Sequence, residues 1–135
     1  MLNIKKINTG LYDVNTYIVW DSQTSDTAVI DWGGDFELVH DFIKENNLNL
    51  NFVLNTHGHF DHITGLNDTD EDVKVLMHQN DMEWIKELNT YLPMIGMPSM
   101  EVPKIDENIN DGDIIKLGNT EIKVIHTPGH TQGGA

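Results

Sequence analysis

The stretch that decides the fold of this chain is residues 56–62 (THGHFDH), which directly follows the short apolar run at residues 51–55 (NFVLN). His57 and His59 are two residues apart, so in extended backbone their imidazoles project to the same side. Asp61 and His62 follow in the loop and can face a neighbouring position. Neutral imidazole and carboxylate are ligands that suit zinc and other borderline divalent metals. The cluster therefore predicts a metal site immediately after a strand.

A further candidate ligand, His130, stands far along the chain in residues 127–131 (TPGHT). Pro128 fixes one backbone dihedral, and Gly129 permits conformations that other residues rarely adopt. Zinc sites need at least three protein ligands, and His130 would complete a set with His57 and His59. The competing interpretation is a fortuitous His-rich surface loop. Four ligand-type side chains within six residues favour the metal site.

Isolated histidines carry a different prediction. A single histidine is usually structural or surface-exposed, and His40 and His78 are interpreted in this way. His126 precedes the TPGHT turn and is predicted to support the site or the fold without binding metal.

Apolar runs and turn residues alternate in a pattern typical of a layered α/β protein. Asp35 and Asp81 are placed as helix N-caps, and Phe36, Val39 and Ile43 recur at helical spacing. Residues 110–113 (NDGD) read as a hairpin-type turn. Strands are predicted at residues 2–7, 16–20, 27–31, 51–55, 73–77, 114–117 and 120–125.

Composition restricts the class of partner. The chain has 135 residues, enough for one domain, with 22 acidic residues against eight basic ones and a net charge of −14. All eight cations are lysines, so no arginine offers a bidentate contact to phosphate. A nucleic-acid partner is therefore disfavoured. No apolar run is long enough for a membrane span, and cysteine is absent, so a cytoplasmic location is expected.

These motifs together are similar to those of the metallo-β-lactamase superfamily. Residues 56–62 resemble its HxHxDH signature, and residues 124–134 (VIHTPGHTQGG) resemble the segment that bears its next histidine ligand. Residues 29–35 (VIDWGGD) resemble its strand that ends in an aspartate and paired glycines. The sequence of these motifs is most similar to the glyoxalase II-like, or hydroxyacylglutathione hydrolase-like, branch, whose members hydrolyse thioesters such as acyl-glutathione conjugates.

The resemblance implies an αββα sandwich, of which residues 1–135 would form the N-terminal portion of a single domain, with the C-terminal half missing. It implies two metal ions, expected to be Zn²⁺, with Fe or Mn as alternatives. His57, His59 and His130 would bind one, and Asp61 and His62 the other. A metal-bound hydroxide would attack the substrate, with Asp61 as the catalytic proton acceptor. Family members continue through a bridging aspartate and a last histidine that this sequence does not contain.

The expected function is hydrolysis of a thioester or ester of a small molecule. The alternative is a catalytically incomplete metal-binding fragment that needs a partner chain or its missing half, and a homo-oligomer is one such arrangement. An RNA-processing role is disfavoured by the acidic balance. A di-iron oxygen- or nitric-oxide-reducing role is disfavoured because a histidine occupies position 59. Lactamase activity stays open.

The methionine-rich segment at residues 91–100 (YLPMIGMPSM) leaves three interpretations. It is a loop packed on the core, a mobile lid beside the metals, or a surface that contacts a second chain.

Overall fold

A six-stranded sheet with its strands in chain order forms the centre of the fold. The structure is a computed structural model that describes residues 1–135. Strands β1 to β3 pair antiparallel, and β3 to β6 pair parallel. The strands are β1 (Leu2–Thr9), β2 (Val14–Asp21), β3 (Asp26–Ile30), β4 (Asn49–Leu54), β5 (Lys74–His78) and β6 (Glu107–Ile109). A separate antiparallel hairpin follows, formed by β7 (Ile114–Leu117) and β8 (Thr120–Lys123).

Three α-helices connect the strands: α1 (Phe36–Glu45), α2 (Met82–Lys86) and α3 (Leu88–Tyr91). Short 3-10 turns lie at Phe60–His62, Leu66–Asp68, Gln79–Asp81 and Leu92–Ile95. Helix α1 buries Val39 and Ile43, as their spacing predicts. Leu38, in the same helix, is 51% exposed and lies outside this buried stripe. No helix of the chain is both long and apolar enough to cross a membrane.

The large sheet has an apolar layer on each face, because neighbouring residues of its inner strands point to opposite sides. One face packs against the helices, and its strand residues include Ile18, Val29, Val53 and Val75. The other face packs against the hairpin residue Leu117 and against Val124, and its strand residues include Val19, Ala28, Leu54 and Leu76. The near-continuous apolar runs of β3, β4 and β5 follow from this burial on both faces. The predicted layered α/β architecture is confirmed.

Two local predictions need correction. Residues 110–113 do not form a hairpin turn, because β6 and β7, which they connect, belong to different sheets. The hairpin turn is Gly118-Asn119, the two residues between the predicted strands at 114–117 and 120–125. The three-residue strand β6 was not predicted, because so short a run carries no recognisable period.

A buried carboxylate connects this hairpin to the large sheet. Asp21, at the end of β2, accepts hydrogen bonds from the backbone N–H groups of Gln23 (2.8 Å) and Asn119 (2.5 Å). Gly118 has a φ of 59°, and a Cβ atom there would lie 2.8 Å from Asp21 Oδ2. Position 118 therefore requires glycine for both its conformation and its close approach.

We expect Gly118→Ala to lower the free energy of unfolding by more than the matched change Gly112→Ala. Both glycines have positive φ, so both changes cost about 1–2 kcal/mol in backbone conformation. A Cβ at Gly112 meets no atom within 4 Å, whereas one at Gly118 overlaps Asp21 and adds about 1–3 kcal/mol. Urea unfolding of the two variants measures the difference, and equal losses would contradict this account of the turn.

Candidate metal centre

Three histidines from two distant segments converge at one edge of the large sheet. Ring nitrogens of His57, His59 and His130 lie within 4.8 Å of one another. His59 Nδ1 and His130 Nε2 are 3.1 Å apart, although the residues are 71 positions apart in the chain. Two nitrogens of a tetrahedral zinc site, each about 2.0–2.1 Å from the metal, are about 3.3 Å apart. The spacing of this pair therefore fits a shared metal ion.

The protonation of these imidazoles also suits metal binding. Burial, with the neighbouring His62 next, lowers the pKa of His57 from 6.5 to about 4. Burial and the nearby His130 lower the pKa of His59 as well. Both rings are therefore neutral at neutral pH, which is the form that binds a metal.

A second pair of ligand-type side chains lies beside the trio. His62 Nε2 is 3.6 Å from Asp61 Oδ2, so these two potential metal-ligand atoms face each other at contact distance. The ring centroids of His57 and His62 are 4.1 Å apart, which makes this pair adjacent to the three-histidine group. Asp61 and His62 both lie in the 3-10 turn Phe60–His62, where the backbone changes direction after His57 and His59.

Asp31 orients His62 from behind. His62 Nδ1 lies 3.1 Å from Asp31 Oδ2. Burial lowers the pKa of His62, but interaction with the Asp31 carboxylate, aided by Asp61, outweighs burial, so the net pKa of His62 is raised. The Nδ1 side of the His62 ring thus faces Asp31, which leaves Nε2 on the side of Asp61.

The carboxylate of Asp31 is itself fixed by the residue that precedes the first histidine. The Thr56 backbone N–H donates to Asp31 Oδ1 (2.7 Å), and the Thr56 hydroxyl donates to Oδ2 (2.5 Å). Asp31 has a φ of 56°, an uncommon conformation for a residue other than glycine. Although ligand-type atoms of Asp31, His57 and His62 also lie within 4.8 Å of one another, these bonds assign Asp31 an orienting role.

Asp81 connects the two segments that bear the three histidines. Its buried carboxylate accepts hydrogen bonds from Gly58 N (2.9 Å), the Thr131 hydroxyl (2.6 Å) and Gly133 N (2.7 Å). Gly58 separates His57 from His59, and Thr131 follows His130. Asp81 was predicted to cap a helix with its side chain, but it makes no such bond. A short polar residue before an apolar helix is typical of a cap, but the donors from distant segments outcompete that local role.

Asp35 differs from its prediction in a similar way. It does precede α1, but its side chain forms no capping bond and instead accepts from the backbone N–H of Gly10 (2.8 Å). Next to it, a Cβ on Gly33 would lie 2.6 Å from the carbonyl oxygen of Asp61. The glycine lets the end of β3 approach the ligand loop directly.

The structure thus brings together all five predicted ligands, namely His57, His59, Asp61, His62 and His130. Their role in binding metal stays a prediction. Asp31 and Asp81 are the site residues that ligand spacing did not identify. Their position directly after a strand was the available signal, since strand ends meet at one edge of a parallel sheet.

The other histidines lie outside this group. His40 is exposed on α1 and stacks on Phe36 with ring centroids 5.3 Å apart. His78 is buried and stacks on His126, with ring centroids 4.1 Å apart and planes inclined by 7°. The His126 ring contacts the carbonyl oxygen of Gln132 at 2.8 Å.

We expect Asp81→Asn to weaken metal binding by about 10–100-fold, because an amide cannot accept from all three donors that hold the two segments together. Calorimetric titration with Zn²⁺ measures the affinity. Amide exchange of Gly58 and Gly133, whose N–H groups bond to Asp81, should accelerate in the metal-free protein. The control is Asp106→Asn, the same change at a carboxylate that accepts from Val75 N and pairs with Lys104 away from the site. Unchanged exchange at Gly58 and Gly133 would contradict the role of Asp81.

The lowered pKa of His57 predicts a pH dependence for the metal-free protein. Between pH 6.5 and about 4 the unfolded chain binds a proton at His57 and the folded chain does not, so stability falls as the pH falls through this window. We expect His57→Gln to make that fall shallower, and His40→Gln to change it less. Chemical unfolding in the presence of a chelator, repeated across the window, is the measurement. Identical slopes for His57→Gln and the parent would refute the prediction.

Comparison with known proteins places this geometry in a family. Residues 9–135 match the metallo-beta-lactamase superfamily. The chain is 30% identical over 136 residues to the hydroxyacylglutathione hydrolase GloC of Haemophilus influenzae, covering 98% of this chain and 64% of the relative.

Solved structures agree on the fold. The BLEG-1 B3 metallo-beta-lactamase superposes with a TM-score of 0.84 at 27% identity, covering 99% of this chain and 65% of that chain. A di-iron-bound form of TTHA1623 superposes with a TM-score of 0.79 at 22% identity, covering 96% of this chain and 64% of that chain.

The chain spans 62–64% of the length of several curated relatives that it matches. The match nevertheless includes the histidine cluster, the strand that ends at Asp31 and the His130 turn. The chain belongs to the metallo-beta-lactamase superfamily.

Proposed function

We propose that this chain carries the metal-binding part of a metal-dependent hydrolase that cleaves a thioester or ester of a small molecule. The observation that carries the proposal is the convergence of His57, His59 and His130 beside the facing pair Asp61 and His62. The name of the relative GloC, a hydroxyacylglutathione hydrolase, supports a thioester.

The donor set supports zinc. Four imidazoles and a carboxylate suit Zn²⁺, and iron is the alternative because the same ligand types also bind it. Bound divalent cations would lower the pKa of a water molecule and polarise the carbonyl group of the substrate. His57, His59 and His130 would hold one cation, and Asp61 and His62 the second.

The chain's own residues have distinct tasks in this reaction. Hydrolysis joins a water oxygen to the acyl carbon and breaks the bond from that carbon to sulfur or oxygen. Asp61 accepts the proton that the water loses, and the leaving group takes up a proton as it departs. Asp31 holds the His62 ring so that Nε2 faces Asp61, and Asp81 keeps His130 beside His59.

Metal analysis and a thioester assay on the same sample test the proposal. Protein purified without chelators should contain bound divalent metal and should hydrolyse a hydroxyacylglutathione thioester. Two metals per chain with hydrolysis are the expected result. One metal per chain without hydrolysis would favour the alternative, an incomplete metal-binding fragment, and absence of bound metal would overturn the proposal.

Single substitutions should separate the two metal positions. We expect Asp61→Ala and His62→Ala to remove the second metal and abolish hydrolysis while the first metal is retained, because neither residue belongs to the three-histidine group. His130→Ala should instead remove the first metal. His40→Ala, an exposed histidine outside the site, serves as the control. Loss of all metal from Asp61→Ala would indicate a single shared site. Metal content by mass spectrometry distinguishes these outcomes.

A further inference from the structure

A cavity opens directly beside Asp61. It has a volume of about 330 Å³ and lies between the β1–β2 turn, the glycines after β3 and the segment after α3. That volume is within the range of small-molecule sites, about 300–1,000 Å³. A larger cavity of about 520 Å³ elsewhere includes none of the five predicted ligands. The side chains that define the chemistry of the cavity beside Asp61 are Leu11, Tyr12, Phe60 and Met97, which are apolar, and Asp35 and Asp61, which are acidic.

A continuous series of aromatic rings connects this cavity to the metal ligands. His59 contacts Trp84 edge to face, with ring centroids 4.7 Å apart, and Trp84 contacts Tyr91 at 5.7 Å. Tyr91 then contacts Phe60 at 6.4 Å, and Phe60 contacts Tyr12 at 5.3 Å. The rings come from four different segments of the chain. They form an apolar wall that runs from a metal ligand into the cavity.

The wall continues onto the methionine-rich segment. Met97 is half-buried and lines the cavity, whereas Met94, on the neighbouring 3-10 turn, is 81% exposed and does not. Methionine is flexible and polarisable, so it adapts to aliphatic and aromatic groups of different shape. The segment therefore contributes one side chain to the cavity and leaves another in solvent.

The charges of the cavity select against anions. Asp35 and Asp61 are its charged side chains, and none of the eight lysines lines it. Asp35 is held in place by the N–H of Gly10, so its negative charge stays at the wall. A carboxylate brought beside Asp35 would lose its hydration and find no lysine side chain to replace it. A group without charge would lose little hydration and gain apolar contact.

We propose that this cavity is the acyl subsite of the enzyme and that it binds an uncharged, apolar acyl group. The carbonyl end of the substrate lies toward Asp61, and the tail lies among Tyr12, Phe60 and Met97. The inference rests on the proposed hydrolase function, which it deepens by naming the acyl class. Aliphatic and aromatic acyl groups are accepted, and acyl groups that end in a carboxylate are rejected.

Binding of non-hydrolysable analogues tests the subsite without turnover. The probes are ketones in which CH₂ replaces the sulfur of acetyl, hexanoyl and succinyl thioesters of N-acetylcysteamine, a thiol without charge. Calorimetry is performed on the Zn²⁺-loaded full chain. We expect the hexanoyl ketone to bind about tenfold or more tightly than the acetyl ketone, because its additional methylenes are buried. The succinyl ketone should bind more weakly than the acetyl ketone.

A pair of matched variants locates the effect. Met97→Lys places a cation in the cavity and should favour the succinyl ketone over the hexanoyl ketone. Met94→Lys adds the same charge nearby, outside the cavity, and should leave the original order. Met97→Ala should reduce the advantage of the hexanoyl ketone without adding charge. Thermal unfolding verifies that each variant is folded.

The outcomes separate this inference from the function on which it rests. Equal binding of hexanoyl and succinyl ketones, no binding of any ketone, or equal effects of Met94→Lys and Met97→Lys would each overturn the acyl subsite. The corresponding thioesters are assayed in parallel. Hexanoyl preference without hydrolysis of any thioester would support the subsite and contradict the hydrolase. Hydrolysis with a preference for the succinyl thioester would support the hydrolase and contradict the subsite.

Discussion

The parallel pairing of β3, β4, β5 and β6 is the constraint on which the site depends. Because these strands run in one direction, the loops that leave their carboxyl ends start at the same edge of the sheet. Asp31 follows β3, the histidine cluster follows β4, and Asp81 follows β5. Short loops then suffice to bring these side chains together. The last segment, with His130, is not part of this sheet and is attached to it through Asp81, through the stack of His126 on His78 and through the Ala135 N–H, which donates to Thr56 O.

Two buried carboxylates hold the site in different ways. Asp31 faces the ring of His62 as well as Thr56, so it selects which ring nitrogen is presented to a ligand. Asp81 accepts only from neutral donors on the ligand segments, so it fixes the backbone without bonding to an imidazole ring. Burial lowers the pKa of His57 despite the opposing charge of the nearby Asp31 carboxylate. The protein thus favours neutral rings at His57 and His59, whereas interaction with the Asp31 carboxylate outweighs burial and raises the pKa of His62.

Sequence patterns predicted the layered fold and the five candidate metal ligands. They failed where contacts between distant segments determine the role of a side chain or a turn. The histidine spacing and the TPGHT turn led to five side chains that do lie together, because local backbone geometry largely determines where they point. Asp35 and Asp81 sit where helix caps are expected, yet their side chains bond to Gly10 and to three donors around the site. No feature of the neighbouring sequence distinguishes these roles from helix capping. The same holds for residues 110–113, whose turn is real but joins strands of two different sheets.

The separation of His59 and His130 along the chain has a thermodynamic consequence. A metal ion held by both residues closes a loop of 71 residues, in a protein that has no cysteine and so no disulfide. Closing a loop of that length restricts the unfolded chain by about 4 kcal/mol, on the entropic account used for disulfides. The ion would then act as a reversible cross-link between the loop after β4 and the turn that contains His130. The folding equilibrium of the chain would consequently follow the concentration of free metal in its surroundings.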